Sequence, residues 1–148
     1  MDVSCRPWAL RFLKIRPRSV AELKEKLEKK GFEAQDIDNA LGWLQSTKLL
    51  DDRAFTKSWI QYRLARPFGF RRIVLELKDK GIDPGIIEEE IDAVKPHVDE
   101  SRTALELARR RWQRLTGIEP LKKKKRIFDF LSRRGFSPDV IFKVLKQL

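Results

Sequence analysis

A short apolar signature occurs three times in this 148-residue chain, and each copy ends in a basic residue, a glycine and a large hydrophobe. Leu23, Leu27, Gly31, Phe32, Ile37, Leu41 and Leu44 form the first copy. Ile73, Leu77, Gly81, Ile82, Ile87, Ile91 and Val94 form the second, and Ile127, Leu131, Gly135, Phe136, Ile141, Leu145 and Leu148 the third. The glycines stand 50 and 54 positions apart. A recurring period with fixed internal spacing denotes copies of one supersecondary unit that stack to share a core.

The apolar spacing follows i, i+3, i+4, i+7, and no useful stretch alternates as a strand does. The chain therefore reads as all-α, with three tandem three-helix repeats over residues 1–50, 51–98 and 99–148. Stacking of such repeats would give an elongated, curved array. In the first repeat a helix bearing Trp8, Phe12 and Ile15 stops at Arg16-Pro17, because the residue before proline is pushed out of the helical region. Ser19 and Glu22 have the spacing of a capping box, which opens a helix that buries Val20, Leu23 and Leu27. Gly31 ends it in the left-handed conformation that a Cβ disfavours, with Phe32 folding back. A third helix runs from about Ala34 to Ser46. The pattern recurs. Asp52 caps the first helix of the second repeat, Gly81 ends the next, and Asp83-Pro84 opens the third. In the last repeat a helix from about Asp99 to Thr116 precedes a Gly117–Pro120 break, a helix ending at Gly135, and a final helix opened by Ser137-Pro138. Alanine at Gly31, Gly81 or Gly135 should cost about 1 kcal/mol or more.

The formal net charge is +11, from 33 Lys and Arg against 22 Asp and Glu. Residues 1–50 contribute +3, residues 51–98 nothing, and residues 99–148 +8. Stretch 53–80 holds 8 basic and 2 acidic residues, whereas Glu88, Glu89, Glu90 and Asp92 cluster in one helix. Such polarisation points to a basic surface that tracks a polyanion, DNA foremost. Arg63, Arg66, Arg71 and Arg72 bracket one helix junction. Arg109, Arg110, Arg111 and Arg114 nearly encircle another helix. Lys122, Lys123, Lys124, Lys125 and Arg126 lead into a helix start, where the dipole opposes them, so an external anion is implied. Lys29, Lys30, Lys80, Arg133 and Arg134 sit in last turns, where the dipole already favours cations.

Catalytic constellations are not discernible. His97 stands alone beside Pro96, and Cys5 lies in a frayed N-terminal stretch without an activating partner. Asp51-Asp52 opens an apolar helix and reads as a cap rather than a metal pair. No phosphate loop, dinucleotide fingerprint or Cys/His zinc set is present. Neither an enzyme activity nor a cofactor is expected. Phe12, Phe55, Trp59 and Trp112 fall on apolar stripes and belong to the core, whereas Phe68 and Phe70 flank Gly69 in a basic turn and are expected to be exposed. No apolar run approaches the roughly 20 residues of a membrane span, and the N-terminal residues Met1–Pro7 lack a signal-peptide core. A cytoplasmic protein, monomeric when free and without a membrane partner, is the expectation.

Several segments resemble the RecX family, bacterial regulators of recombination that act on RecA. They are Arg16-Pro17-Arg18-Ser19 with Glu22-Leu23, Leu27 and Gly31-Phe32; Leu49-Leu50-Asp51-Asp52-Arg53-Ala54-Phe55; Arg66-Pro67-Phe68-Gly69-Phe70-Arg71-Arg72-Ile73 with Glu76-Leu77 and Lys80-Gly81-Ile82; and Phe130-Leu131-Ser132-Arg133-Arg134-Gly135-Phe136-Ser137. Phe70 departs from the proline often found there, and Asp99–Leu121 matches poorly. The resemblance implies a modular non-enzymatic protein in the groove of the RecA–DNA filament, restraining ATP hydrolysis, strand exchange and coprotease activity. Its contacts would come from Arg63, Arg66, Arg71, Arg72, Arg109, Lys122, Lys124 and Arg126, against DNA or acidic RecA surface. The alternative is a DNA-binding protein that works without RecA.

Overall fold

The computed structural model describes residues 5–148, and Met1–Ser4 of the N-terminal stretch read above lie outside the described residues. Nine α-helices and no strand occur among them: α1 (Cys5–Ile15), α2 (Val20–Lys29), α3 (Ala34–Ser46), α4 (Asp52–Leu64), α5 (Phe70–Asp79), α6 (Pro84–Val94), α7 (Glu100–Arg114), α8 (Pro120–Arg133) and α9 (Pro138–Leu145), with a 3-10 turn at Lys95–His97. The residues form two compact units. One holds the chain through Trp59 together with Leu77–Ile87, and the other holds Ile60–Glu76 with Glu88–Leu148.

In the first unit α1, α2 and α3 all pack on one another. Their shared core is Ala9, Leu23, Leu27, Ile37, Ala40, Leu41, Leu44 and Leu50, which also includes Cys5. Cys5 is thus not frayed: as the first residue of α1 it is 1 % exposed, because the Ala9 side of the helix faces the core. In the second unit α7, α8 and α9 pack likewise around Ala104, Ala108, Ile127, Leu131, Phe136, Ile141 and Val144.

The three glycine stops share one geometry. Gly31, Gly81 and Gly135 have φ of 91°, 75° and 95°. The residue after each glycine donates its amide five residues back, Phe32 to Leu27, Ile82 to Leu77 and Phe136 to Leu131, while each glycine amide reaches Glu28, Lys78 or Ser132. This paired arrangement satisfies helix-end carbonyls and folds the hydrophobe onto the core. The capping box is present as well: the Ser19 hydroxyl accepts from Glu22 N at 3.1 Å, and Glu22 Oε1 accepts from Ser19 N at 3.1 Å.

Helix α4 corrects one expectation. Its cap is Asp51, whose Oδ1 accepts from Arg53 N at 2.9 Å and Ala54 N at 3.2 Å. Asp52 is already helical, and its carboxylate instead accepts from Val20 N, the first amide of α2, at 2.8 Å. Asp52 therefore caps a different helix, since a residue inside the first turn points its side chain away from its own orphan amides.

That contact belongs to a joint that occurs twice, once in each unit. In the first, Asp52 caps Val20, the Ser19 hydroxyl donates to Lys80 O at 2.6 Å, and a Cβ on Gly81 would lie 2.4 Å from Ala21 Cβ. In the second, Glu100 from the first residue of α7 accepts from Phe70 N at 3.2 Å, Gly69 N donates to Arg134 O at 2.8 Å, and a Cβ on Gly135 would lie 2.4 Å from Arg72 Cβ. In both joints a second helix starts against the glycine-ended C-terminus of another second helix, and a carboxylate from a first helix supplies its N-terminal acceptor.

Burial raises both carboxyls above their ordinary values. At Asp52 the charges of Asp51 and Glu22 add to it, and the Val20 amide opposes it. At Glu100 the Phe70 amide and Lys95 oppose it. An acid raised in the folded state holds its proton more tightly there than when unfolded, so folding gains as pH falls from neutrality towards about 4 and loses that gain on return. Asp52→Asn with Glu100→Gln, whose amide oxygens still accept, should abolish this rise in the urea midpoint between pH 7 and about 4.5. An unchanged rise in the double variant would show that other groups carry it.

Candidate nucleic-acid interface

The Arg63–Arg72 junction in the second unit is ordered around one ring. Phe68 carries three guanidiniums, with the carbons of Arg63, Arg72 and Arg134 at 4.4, 4.9 and 5.2 Å from its centroid. Phe70 is the first residue of α5 and is 4 % exposed. Neither phenylalanine is the open stacking surface expected from the sequence. The reason is Gly69: its amide and that of Arg71 bond to Arg134 O and Gly135 O, which draws the turn against the end of α8, where Phe70 is buried and Phe68 is partly buried beneath the guanidiniums.

Glu76 meets this arginine cluster. Arg63 binds it through both Nε, at 2.8 Å, and Nη2, and Arg72 Nε lies 3.7 Å from the same carboxylate. The Glu76 hydrogen bond outweighs burial and raises the Arg63 guanidinium above its ordinary value. Arg72 Nη1 also donates to Arg133 O at 3.1 Å. Three cations gather on one aromatic ring beside the Glu76 carboxylate, an arrangement that concentrates positive charge at this junction. Arg63 is largely enclosed, its side chain 16 % exposed, whereas that of Arg72 is 42 % exposed.

Arg66 stacks on Tyr62 at 4.5 Å and bonds its hydroxyl through Nη1. Arg66 also lines a cleft with Pro67, Thr103, Glu106 and Arg110, and Arg109 is not among its lining residues. Arg71 and Arg109 are exposed. The lysine run lies inside the first turns of α8 rather than ahead of them. It is divided: Lys123 sits 4.0 Å over Trp112, Lys122, Lys124 and Lys125 line an apolar groove, and Arg126 is exposed. Arg134, explained from sequence by the helix dipole alone, proves to be the third member of the Phe68 cluster.

A second pattern was missed. Trp8, Trp59 and Trp112 stand 51 and 53 positions apart, and each carries a lysine: Lys30 at 4.1 Å, Lys80 at 4.3 Å and Lys123 at 4.0 Å. The equal spacing of the tryptophans was the available signal. Lys80 also pairs with Glu22 at 3.4 Å, where Arg16 approaches at 2.9 Å. Burial acts to raise the Glu22 carboxyl, but the Arg16 and Ser19 hydrogen bonds with the Lys80 and Arg16 charges outweigh it and hold it below its ordinary value. Among the described residues no group of three or more His, Cys, Asp or Glu could hold a metal, and no helix is long and apolar enough to cross a membrane.

Comparison with known proteins decides the family. The first, second and third three-helix domains of RecX match residues 5–44, 51–90 and 99–145 in that order. This chain belongs to the RecX family. The third match includes the Asp99–Leu121 stretch, whose residues resemble the family least. Proteins named regulatory protein RecX are 37 % identical over 95 % of this chain and 91 % of their own in Legionella pneumophila (strain Corby), and 35 % identical over 93 % and 84 % in Chlorobaculum tepidum. The Pasteurella multocida (strain Pm70) protein of the same name is 33 % identical over 84 % of this chain and 75 % of its own. The crystal structure of RecX from Lactobacillus salivarius superposes with a TM-score of 0.85 at 23 % identity, covering 98 % of this chain and 94 % of that one. A crystal structure of another regulatory protein RecX gives 0.87 at 21 % identity, covering 98 % and 72 %. These likenesses establish the RecX fold of three-helix domains, and the relatives carry the name of regulators rather than of enzymes.

Proposed function

We propose that this chain regulates RecA by lying along the RecA–DNA filament, mainly inhibiting ATP hydrolysis, strand exchange and coprotease activity. Three tandem repeats, residues 1–50, 51–98 and 99–148, span successive filament subunits, and the protein acts in the cytoplasm as a monomer without cofactor or catalysis. Arg63, Arg66, Arg71, Arg72, Arg109, Lys122, Lys124 and Arg126 face DNA or acidic protein surface. The observation that carries this reading, beyond family membership, is the Phe68 centre: guanidiniums oriented by a ring and by Glu76 are prearranged for phosphate or carboxylate, which reduces the ordering cost of binding.

Co-sedimentation tests it. The protein should pellet with RecA assembled on single-stranded DNA and remain soluble with RecA alone. Equal pelleting with bare DNA, with RecA adding nothing, would favour the RecA-independent DNA binder. That reading rests on the net charge of +11 and predicts a log–log salt slope of about −0.7 to −0.9 per phosphate contacted.

A further inference from the structure

The second unit carries an apolar surface at the edge of its core, where Phe128 and Leu145 are only partly buried against it. Leu121 in the first turn of α8 is 74 % exposed, and Phe142 on α9 is 53 % exposed. Phe142 leans on Phe128 with ring centroids 5.5 Å apart and planes tilted by 41°. Between Leu121, Phe128 and Leu145 runs an open groove whose walls are almost wholly carbon. Its rim carries Lys122, Lys124 and Lys125, whose stems line the groove while their heads remain with solvent. Asp129 is the acidic member of the lining, and Lys125 approaches it at 3.9 Å.

Large exposed hydrophobes beside one another mark a contact surface. The rim decides what covers it. Three lysines and the positive end of the α8 dipole attract carboxylates, and nothing in the groove offers an acidic occupant a like-charge penalty beyond Asp129. The floor argues against a nucleic acid strand: two leucines and one ring, Phe128, tilted against its neighbour Phe142, present mostly aliphatic bulk rather than a run of flat stacking faces. Two adjacent helices with such a seam match the helix-in-groove mode of peptide recognition. We propose that the α8–α9 groove binds an acidic amphipathic helical segment of a protein partner, apolar residues into the seam and carboxylates onto Lys122, Lys124 and Lys125. The inference deepens the filament reading by giving Lys122 and Lys124 a protein ligand instead of phosphate.

Its test contains no filament, so the two readings can fail separately. The probe is a fluorescein-labelled peptide of about 15 residues with Leu and Phe at i, i+3, i+4 and i+7 and Glu on both flanks. Three further probes accompany it: the same composition with scrambled apolar positions, a version with Lys for Glu, and a thymidine oligonucleotide of equal charge. Anisotropy with the full chain should show saturable binding of the first peptide alone. Leu121→Ser with Phe142→Ser should weaken it about tenfold or more, and Lys122→Glu with Lys124→Glu likewise. Both substituted pairs are at exposed or partly exposed positions, and Leu121→Ser alone, at the most exposed of them, serves as the variant whose melting should match the parent. Failure of the first peptide to bind, equal binding of the scrambled peptide, or unchanged affinity in the serine variants overturns the proposal. Displacement by the oligonucleotide that is lost in Leu121→Ser overturns it in favour of a nucleic acid, and a Leu121-dependent dimer in sedimentation overturns it in favour of a second copy.

Discussion

Gly135→Ala should lower stability by about 2–4 kcal/mol, several times the loss from Gly31→Ala, although both glycines adopt left-handed backbone. The difference lies in what surrounds them. At Gly31, φ 91°, an added Cβ meets nothing within 4 Å, so only backbone strain of about 1 kcal/mol is incurred. At Gly135, φ 95°, the Cβ would fall 2.4 Å from Arg72 Cβ and 2.5 Å from Arg72 N, and the backbone of α5 would have to retreat. Retreat would break the bonds from Gly69 N and Arg71 N to Arg134 O and Gly135 O and uncover Phe68. Gly69→Ala meets the same wall from the other side, 2.4 Å from Gly135 C and O, and should be comparably costly. Gly81→Ala, against Ala21 Cβ at 2.4 Å, belongs with the severe pair. Urea unfolding of the four variants measures the order directly. Equal losses at Gly31 and Gly135 would mean that the joint between second helices contributes nothing.

The second large effect concerns charge. Arg66→Glu with Arg71→Glu should weaken association with RecA–DNA filaments about tenfold to a hundredfold per lost contact, with melting unchanged. Arg66 and Arg71 are exposed, so their reversal leaves the Glu76 network in place. Reversing Arg72 would confound the measurement, because Arg72 also holds Arg133 O and Glu76. Unaltered filament binding in the double variant would remove this junction from the interface.

Much of the fold is legible in local chemistry. Apolar spacing, the Ser19–Glu22 box and the glycine stops depend on residues within a turn or two of one another, and those signals locate the helices closely. What the sequence conceals is long-range. That Asp52 caps Val20, or that Glu100 caps Phe70, follows from packing between residues about 30 positions apart. The same applies to the site. A basic run announces charge but not direction: Lys123 turns to Trp112 while its neighbours line a groove, and Arg134 joins Arg63 and Arg72 only because Gly69 docks on Gly135. Phe68 and Phe70 looked exposed because glycine and arginine surround them in sequence; the close backbone approach that glycine permits brings the turn onto α8, which buries Phe70 and leaves Phe68 only partly exposed.

Filament regulation is tested most directly by one titration, RecA ATP hydrolysis on single-stranded DNA with increasing amounts of this protein at several salt concentrations. Inhibition should saturate at or below one molecule per RecA subunit and weaken as salt rises. Hydrolysis that stays at its starting rate through an excess of the protein, at low salt, would contradict it.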